Sequence, residues 1–153
     1  MRPLLVPAFM LTALALAGCS IKQTVTPVAL SPAQSPEICM IPAEGLRAGF
    51  NTTYTAQLRS KGFQTRQLPP GSPPASCALS TTYIGQWSWD LALYMSYADI
   101  QVFENGRQVG QAHYDSTWGG ARMGKFINAE NKIIEMTNQL FPAASYGSTQ
   151  ASQ

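Results

Sequence analysis

The chain has 153 residues, of which 45% are hydrophobic and only 12% are charged, and its formal net charge is +2. This length fits one domain with tails. So few charges exclude a nucleic-acid interface built on clustered Lys and Arg, and they also exclude a disordered chain that is solvated by its own charge.

The first residues have the pattern of a lipoprotein signal peptide. Arg2 precedes an uncharged, mostly apolar run from Leu4 to Leu16, which is too short to span a membrane but typical of a signal peptide. The run ends in Leu16-Ala17-Gly18-Cys19, where small residues precede a cysteine that can be acylated. The alternative is an ordinary secretory signal with a chance cysteine. We expect residues 1–18 to be removed and Cys19 to carry acyl chains such as palmitate, since more than one chain gives stable anchoring.

The residues after Cys19 predict a location and a spacer. Residue 20 is Ser rather than Asp, and by resemblance to the known lipoprotein sorting rule this implies the outer membrane. Residues 19–36 contain Pro27, Pro32 and Pro36 among small polar residues, a composition typical of a flexible tether. We therefore expect a single domain over residues 37–142 that faces the periplasm, followed by a disordered tail over residues 143–153.

Two cysteines remain once Cys19 is assigned to the lipid. The periplasm is oxidising, so Cys39 and Cys77 are predicted to form a disulfide. A reactive or metal-binding pair is the alternative, but the chain has a single histidine and no C-x-x-C motif. We expect no metal site and no cofactor.

The first half of the domain shows a strand, a helix and a second strand. Glu37 to Ile41 is a short apolar run stopped by Pro42. From Ala43 the apolar residues recur every four positions, which predicts an amphipathic helix that ends at Lys61-Gly62; they are Leu46, Phe50, Tyr54 and Leu58. Residues 63–68 alternate as in a strand, and the Pro-rich segment 69–74 predicts an exposed loop.

The second half predicts a meander followed by a helix. Residues 79–89 and 91–103 have strand patterns, with a turn near residues 89–92 that no Gly or Pro marks. Asn105-Gly106 predicts a two-residue hairpin turn that places Glu104 opposite Arg107. The same register predicts the pairs Val102 with Val109, Ala98 with His113, and Tyr97 with Tyr114. Residues 125–140 are predicted as a helix.

These elements predict an α+β fold. The order β-α-β-β-β-β-α gives a two-layer sandwich, with two helices on one face of a mainly antiparallel sheet.

Aromatic residues are dense in the second half of the chain. Because neighbouring tyrosines differ in strand parity, they cannot all lie beneath the helices, and some are candidates for a partner-binding surface. The alternative is that these rings form the core. The candidate partner-binding residues are Trp87, Trp89, Tyr94, Tyr97, Tyr114 and Trp118.

No catalytic set is predicted. In the predicted register His113 shares a strand face with Asp115, and Ser96 faces Asp115, but nothing supplies an oxyanion hole. A small hydrolase of cell-wall glycan, using a pair of carboxylates such as Asp99 and Asp115, is kept as the alternative function. We expect instead a non-enzymatic module that binds or assembles an envelope protein, glycan or lipid, with no nucleic-acid partner.

Three segments together resemble a known family. Cys19-Ser20-Ile21-Lys22-Gln23-Thr24-Val25-Thr26-Pro27, then Trp87-Ser88-Trp89-Asp90-Leu91-Ala92-Leu93-Tyr94-Met95, then Lys125-Phe126-Ile127 are similar to a family of small Gram-negative outer-membrane lipoproteins. The resemblance covers the mature chain up to Pro142. That family has no assigned activity, so the resemblance implies a lipid-anchored envelope protein and no functional residues.

Overall fold

The structure is a computed structural model that describes residues 20–30, 37–120 and 123–142. The predictions for the signal peptide, for Cys19 and for the tail over residues 143–153 lie outside these ranges.

The described chain forms one six-stranded sheet with two helices, which confirms the predicted α+β fold. The strand order across the sheet is β1-β6-β5-β4-β2-β3. The β1–β6, β6–β5 and β5–β4 pairs are antiparallel, whereas β2 is parallel to both β4 and β3. The elements are β1 (Lys22–Thr26), β2 (Glu37–Pro42), α1 (Ala48–Ser60), β3 (Gln64–Gln67), β4 (Leu79–Asp90), β5 (Ala92–Glu104), β6 (Arg107–Asp115) and α2 (Ala129–Leu140), with short 3₁₀ turns at Pro74–Ser76 and Met123–Lys125.

Strand β1 corrects the predicted tether. Residues 22–26 pair with β6 along the edge of the sheet, from Lys22 opposite Asp115 to Thr26 opposite Gln111. Beyond β1, Val28 is buried, and its N–H donates to the carbonyl of Leu140 at 2.8 Å. The prediction failed because alternating Thr and Val suit an edge strand, although the same polar residues also resemble a linker. The expected spacer is therefore part of the domain over residues 22–28.

The helical stripe of α1 is confirmed. Phe50, Tyr54 and Leu58 are buried against the sheet, and the Tyr54 hydroxyl forms a 2.8 Å hydrogen bond with Thr81 Oγ1 on β4. The helix begins later than predicted because residues 43–46 form a turn, in which Gly45 has a φ of 72°. Helix α2 also begins later, at Ala129, because Asn128 caps it by accepting from the N–H of Asn131 at 3.1 Å.

The β5–β6 hairpin has the predicted turn. Asn105 and Gly106 have φ values of 51° and 78°, which is what this turn type requires, and Glu104 lies opposite Arg107. The register then shifts by one residue near Val102, which lies opposite Gly110. A bulge of this kind adds one residue to one strand and so changes every later pair.

The bulge makes the remaining predicted pairs wrong. Ala98 lies opposite Tyr114, and His113 lies opposite Asp99. Tyr97 lies opposite Asp115 rather than Tyr114. The correction matters for function because a shift of one residue moves a side chain to the other face of the sheet.

The turn between β4 and β5 is made by Leu91. This residue has a φ of 61° and is 87% exposed. Asp90 and Ala92 pair directly on either side of it. Because a bulky residue is uncommon in this backbone region, a leucine here gives no sequence signal that a turn is present.

The predicted disulfide is present. The sulfur atoms of Cys39 and Cys77 are 2.01 Å apart, and their Cα atoms are 6.3 Å apart. The bond ties the buried strand β2 to the segment that leads into β4. Within the residues that the structure describes, no helix is long and apolar enough to cross a membrane.

Candidate functional site

The structure separates the six aromatic residues that were predicted as one surface. Tyr94 and Tyr114 are buried, at 8% and 1% exposure, so the prediction that they bind a partner is wrong. Tyr94 packs edge-on against Phe126. The register shift places Tyr114 among the buried core residues. The other four residues lie in three different surroundings.

Trp87 lines a groove between the two helices. Its ring meets the ring of Phe50 edge-on, with centroids 6.4 Å apart. The guanidinium carbon of Arg47, at the start of α1, lies 5.2 Å from the centre of the Trp87 ring. The groove has a volume of about 470 Å³ and also includes Glu130 and Ile133 from α2. It thus combines an aromatic wall with one cation and one anion.

The sequence of either helix alone could not have predicted this groove. Arg47 and Trp87 are distant in the sequence, and they meet because the start of α1 crosses over β4. The sequence signal was the exposed start of an amphipathic helix, which gives no information about the strand beneath it.

Tyr97 belongs to a polar cluster on the sheet face opposite the helices. Asp99 accepts hydrogen bonds from the side-chain amides of Gln101 and Gln111, both at 2.7 Å. His113 Nδ1 lies 3.2 Å from the same carboxylate, and the Tyr97 ring meets the imidazole edge-on with centroids 5.2 Å apart. Partial burial, followed by the charges of Asp99 and Asp115, raises the pKa of Tyr97.

The predicted trio of His113, Asp115 and Ser96 is not assembled. His113 pairs with Asp99 instead. Ser96 Oγ accepts a 2.9 Å hydrogen bond from the Ser88 hydroxyl. Asp115 accepts from the N–H of Thr117 at 2.8 Å and from its hydroxyl. Ser96 is therefore not placed beside the imidazole.

A general acid for glycan hydrolysis needs a raised carboxyl pKa. The pKa of Asp115 is shifted the other way, since the Thr117 hydroxyl that donates to it lowers that pKa below the ordinary value. The described residues contain no group of three His, Cys, Asp or Glu side chains that could hold a metal ion.

Trp89 and Trp118 are exposed at one end of the molecule, at 74% and 75%. Leu91, Leu93 and Met123 are exposed beside them in the sequence. These five residues, here called the apolar end, lie on the β4–β5 hairpin and on the connection from β6 to α2.

Lys125 holds the two parts of the apolar end together. Its ammonium group donates to the Asp90 carboxylate and, at 2.6 Å, to the carbonyl of Gly120. Lys125 is almost fully buried. The centres of the Tyr94 and Phe126 rings lie 5.4 and 5.2 Å from its ammonium nitrogen. An ion pair under aromatic rings thus ties the hairpin to the connection that follows β6.

The chain matches no protein-family model and none of the curated proteins. Among solved structures, it is similar to the PelC dodecamer from Paraburkholderia phytofirmans, with 14% identity, a TM-score of 0.50, and coverage of 80% of this chain and 98% of that one. A leucine-to-methionine variant of that dodecamer aligns at 12% identity with a TM-score of 0.49, covering 82% of this chain and 97% of that one. At this identity the first similarity is one of fold.

Proposed function

We propose that this chain is an outer-membrane lipoprotein, anchored by acylated Cys19, whose periplasmic domain binds another envelope component without enzymatic activity. The groove at Trp87 is the observation on which the binding role rests. The Leu-Ala-Gly-Cys sequence at residues 16–19 supports the anchor. The Cys39–Cys77 disulfide supports an oxidising compartment.

The chemistry of the groove favours a flat or apolar group on the partner. A volume of about 470 Å³ is in the usual range for ligand sites. Tryptophan and arginine are also the residues that dominate binding energy at protein interfaces. A ring or an apolar side chain of the partner can pack against Trp87, while Arg47 and Glu130 hydrogen-bond to polar groups around it.

The anchor is tested by acylation and fractionation. Cells that express the chain are grown with labelled palmitate, and the label is expected on the wild-type chain and not on Cys19→Ser. A Ser20→Asp variant is expected to move from the outer to the inner membrane fraction. Label on Cys19→Ser, or a wild-type chain free of label, would contradict the anchor.

The groove is tested by photocrosslinking in cells. A photoreactive amino acid at Thr53, which lines the groove, is expected to capture an envelope component. The same amino acid at Asn105, in the β5–β6 turn, serves as the matched control. Arg47→Gln should weaken capture at Thr53, because it removes an exposed cation without opening the core. Equal capture from both positions, or no effect of Arg47→Gln, would refute this site.

The non-enzymatic assignment has its own test. Purified chain is incubated with cell-wall glycan, and the release of soluble fragments is followed. We expect no release. Fragment release that disappears in an Asp99→Asn variant would replace the binding role with the glycan hydrolase.

A further inference from the structure

The apolar end is unusual in what it exposes. Among the described residues, the exposed large hydrophobic side chains are its five members, with exposures of 51% to 87%. Scattered exposed hydrophobics are ordinary on protein surfaces, but a cluster marks an interaction site. The other apolar residues of comparable size are buried or half-buried.

The cluster lies where the described chain begins. Ile21 packs against Gly119 and Gly124, since a Cβ at these two positions would lie 3.5 and 3.6 Å from Ile21 side-chain atoms. Gly119 directly follows Trp118, and Gly124 directly follows Met123. The first described residue, Ser20, directly precedes Ile21. The described chain therefore begins beside Trp118 and Met123.

The β4–β5 hairpin belongs to the same end. Asp90 is bound by Lys125, which follows Gly124, and Asp90 is adjacent to Leu91 at the turn. Trp89 and Leu93 pair across the hairpin. Ile21, the connection after β6 and the tip of the hairpin are thus joined by direct contacts.

The chemistry of this end suits a lipid interface. Tryptophan is enriched where membrane meets water because its ring is apolar and its N–H is polar. The only acidic residue between residues 86 and 95 is Asp90, and its charge is neutralised by Lys125. Burial of this segment in the interface therefore leaves no carboxylate unpaired. Leu91 occupies a turn position that favours Gly or Asn, and an exposed leucine there gives the folded domain no core contact.

We propose that the apolar end inserts into the lipid interface next to the acylated Cys19, so that the domain stands directly on the membrane. This inference rests on the proposed lipid anchor. Insertion of the apolar end also sets the orientation of the domain, because β1 runs away from the membrane and is paired with the sheet through β6. The occupant is a lipid surface, and a second copy of the chain is the competing outcome.

The three tryptophans allow an internal comparison. The full lipidated chain is reconstituted into vesicles of phosphatidylethanolamine and phosphatidylglycerol, with or without acyl chains brominated near the headgroup. Three single-tryptophan variants retain Trp89, Trp118 or Trp87, and the other tryptophans are replaced by Phe. Bromine is expected to quench Trp89 and Trp118 strongly and Trp87 weakly, because Trp87 packs against Phe50 and Arg47 in the groove.

A second variant tests the contribution of the hairpin tip. Leu91→Asn keeps a residue that accepts a positive φ, so the fold is expected to persist. Removing one inserted leucine should weaken binding of the Cys19→Ser chain to the same vesicles by about tenfold, because the lipid interface no longer buries that apolar side chain. Glu104→Gln, at the other end of the hairpin strand, is the control and should bind vesicles as the unaltered Cys19→Ser chain does.

The outcomes separate the two proposals. Acylated chain whose Trp89 and Trp118 are quenched no more than Trp87 would overturn this inference alone. A chain without acylation would overturn the proposed anchor and the inference with it. Oligomers that Leu91→Asn dissociates, without quenching by brominated lipid, would assign the apolar end to a second copy of the chain.

Discussion

Reduction of the Cys39–Cys77 disulfide is expected to lower the free energy of unfolding by about 4 kcal/mol. The two cysteines are 38 residues apart in the sequence. Closing a loop of this length removes about 13 cal/mol/K of entropy from the unfolded chain, which is about 4 kcal/mol at room temperature. That is a large share of the 5–15 kcal/mol typical of a domain, as an approximate range.

Urea denaturation of oxidised and reduced chain measures this difference. Because Cys39 is fully buried, the chain is reduced while unfolded and then refolded with reductant present. With a slope of about 2 kcal/mol per molar urea, the midpoint should fall by about 2 M. A Cys39→Ala/Cys77→Ala variant controls for effects of the reductant and should unfold at one midpoint in both buffers.

The result that would refute this reasoning is a midpoint that does not change on reduction. It would mean that strand β2 and the segment before β4 already lie together in the unfolded chain, so that the disulfide removes little freedom. A loss well beyond 4 kcal/mol would instead indicate that the two thiols do not fit the space left by the bond.

Three further predictions concern packing and charge. Tyr54→Phe should lower the free energy of unfolding, measured by urea denaturation, by about 1–3 kcal/mol, because it leaves the buried Thr81 hydroxyl without its partner. Adding Thr81→Val should recover part of that loss, and no recovery would contradict the role of this hydrogen bond. Gly110→Ala should lower the free energy of unfolding by about 1–3 kcal/mol, since the added Cβ would lie 2.6 Å from the Val28 side chain. Gly49→Ala has open space around the added Cβ and should instead stabilise helix α1 by about 0.5–1 kcal/mol. NMR titration should give Asp115 a pKa below its ordinary 3.8. The contribution of the Asp115 carboxylate to stability is then present above pH 3.8 and is lost as the pH falls through the lowered pKa. An ordinary pKa would show that the hydrogen bonds from residue 117 do not persist in solution.

Local patterns predicted most of the fold. The four-residue spacing from Leu46 to Leu58 identified α1, and Asn105-Gly106 identified the β5–β6 turn, because each signal depends on neighbours in the sequence. The disulfide followed from elimination. These features require no knowledge of distant contacts.

The errors came from long-range contacts. Strand β1 is polar on its exposed face and gains its place only by pairing with β6, so its own residues could not distinguish a strand from a linker. The bulge near Val102 has a weak local sign in Gly110, yet it decides that Asp99 rather than Ala98 faces His113.

The candidate sites depend on the same kind of contact. The exposed position of Trp89 follows from a hairpin that extends beyond β6, and the groove at Trp87 follows from where α1 crosses the sheet. The aromatic composition predicted that a surface exists, whereas the fold decided which rings belong to it.

The place of strand β1 at the sheet edge has a consequence for biogenesis. Its partner β6 lies near the other end of the domain sequence, so in a chain that emerges N-terminus first β1 waits unpaired until β6 has emerged. For the lipoprotein that we propose, the residues just after Cys19 would stay accessible during this interval to the enzymes that cleave and acylate the chain. Pairing of β1 with β6 would then complete the sheet edge last and bring the folded domain close to the proposed anchor.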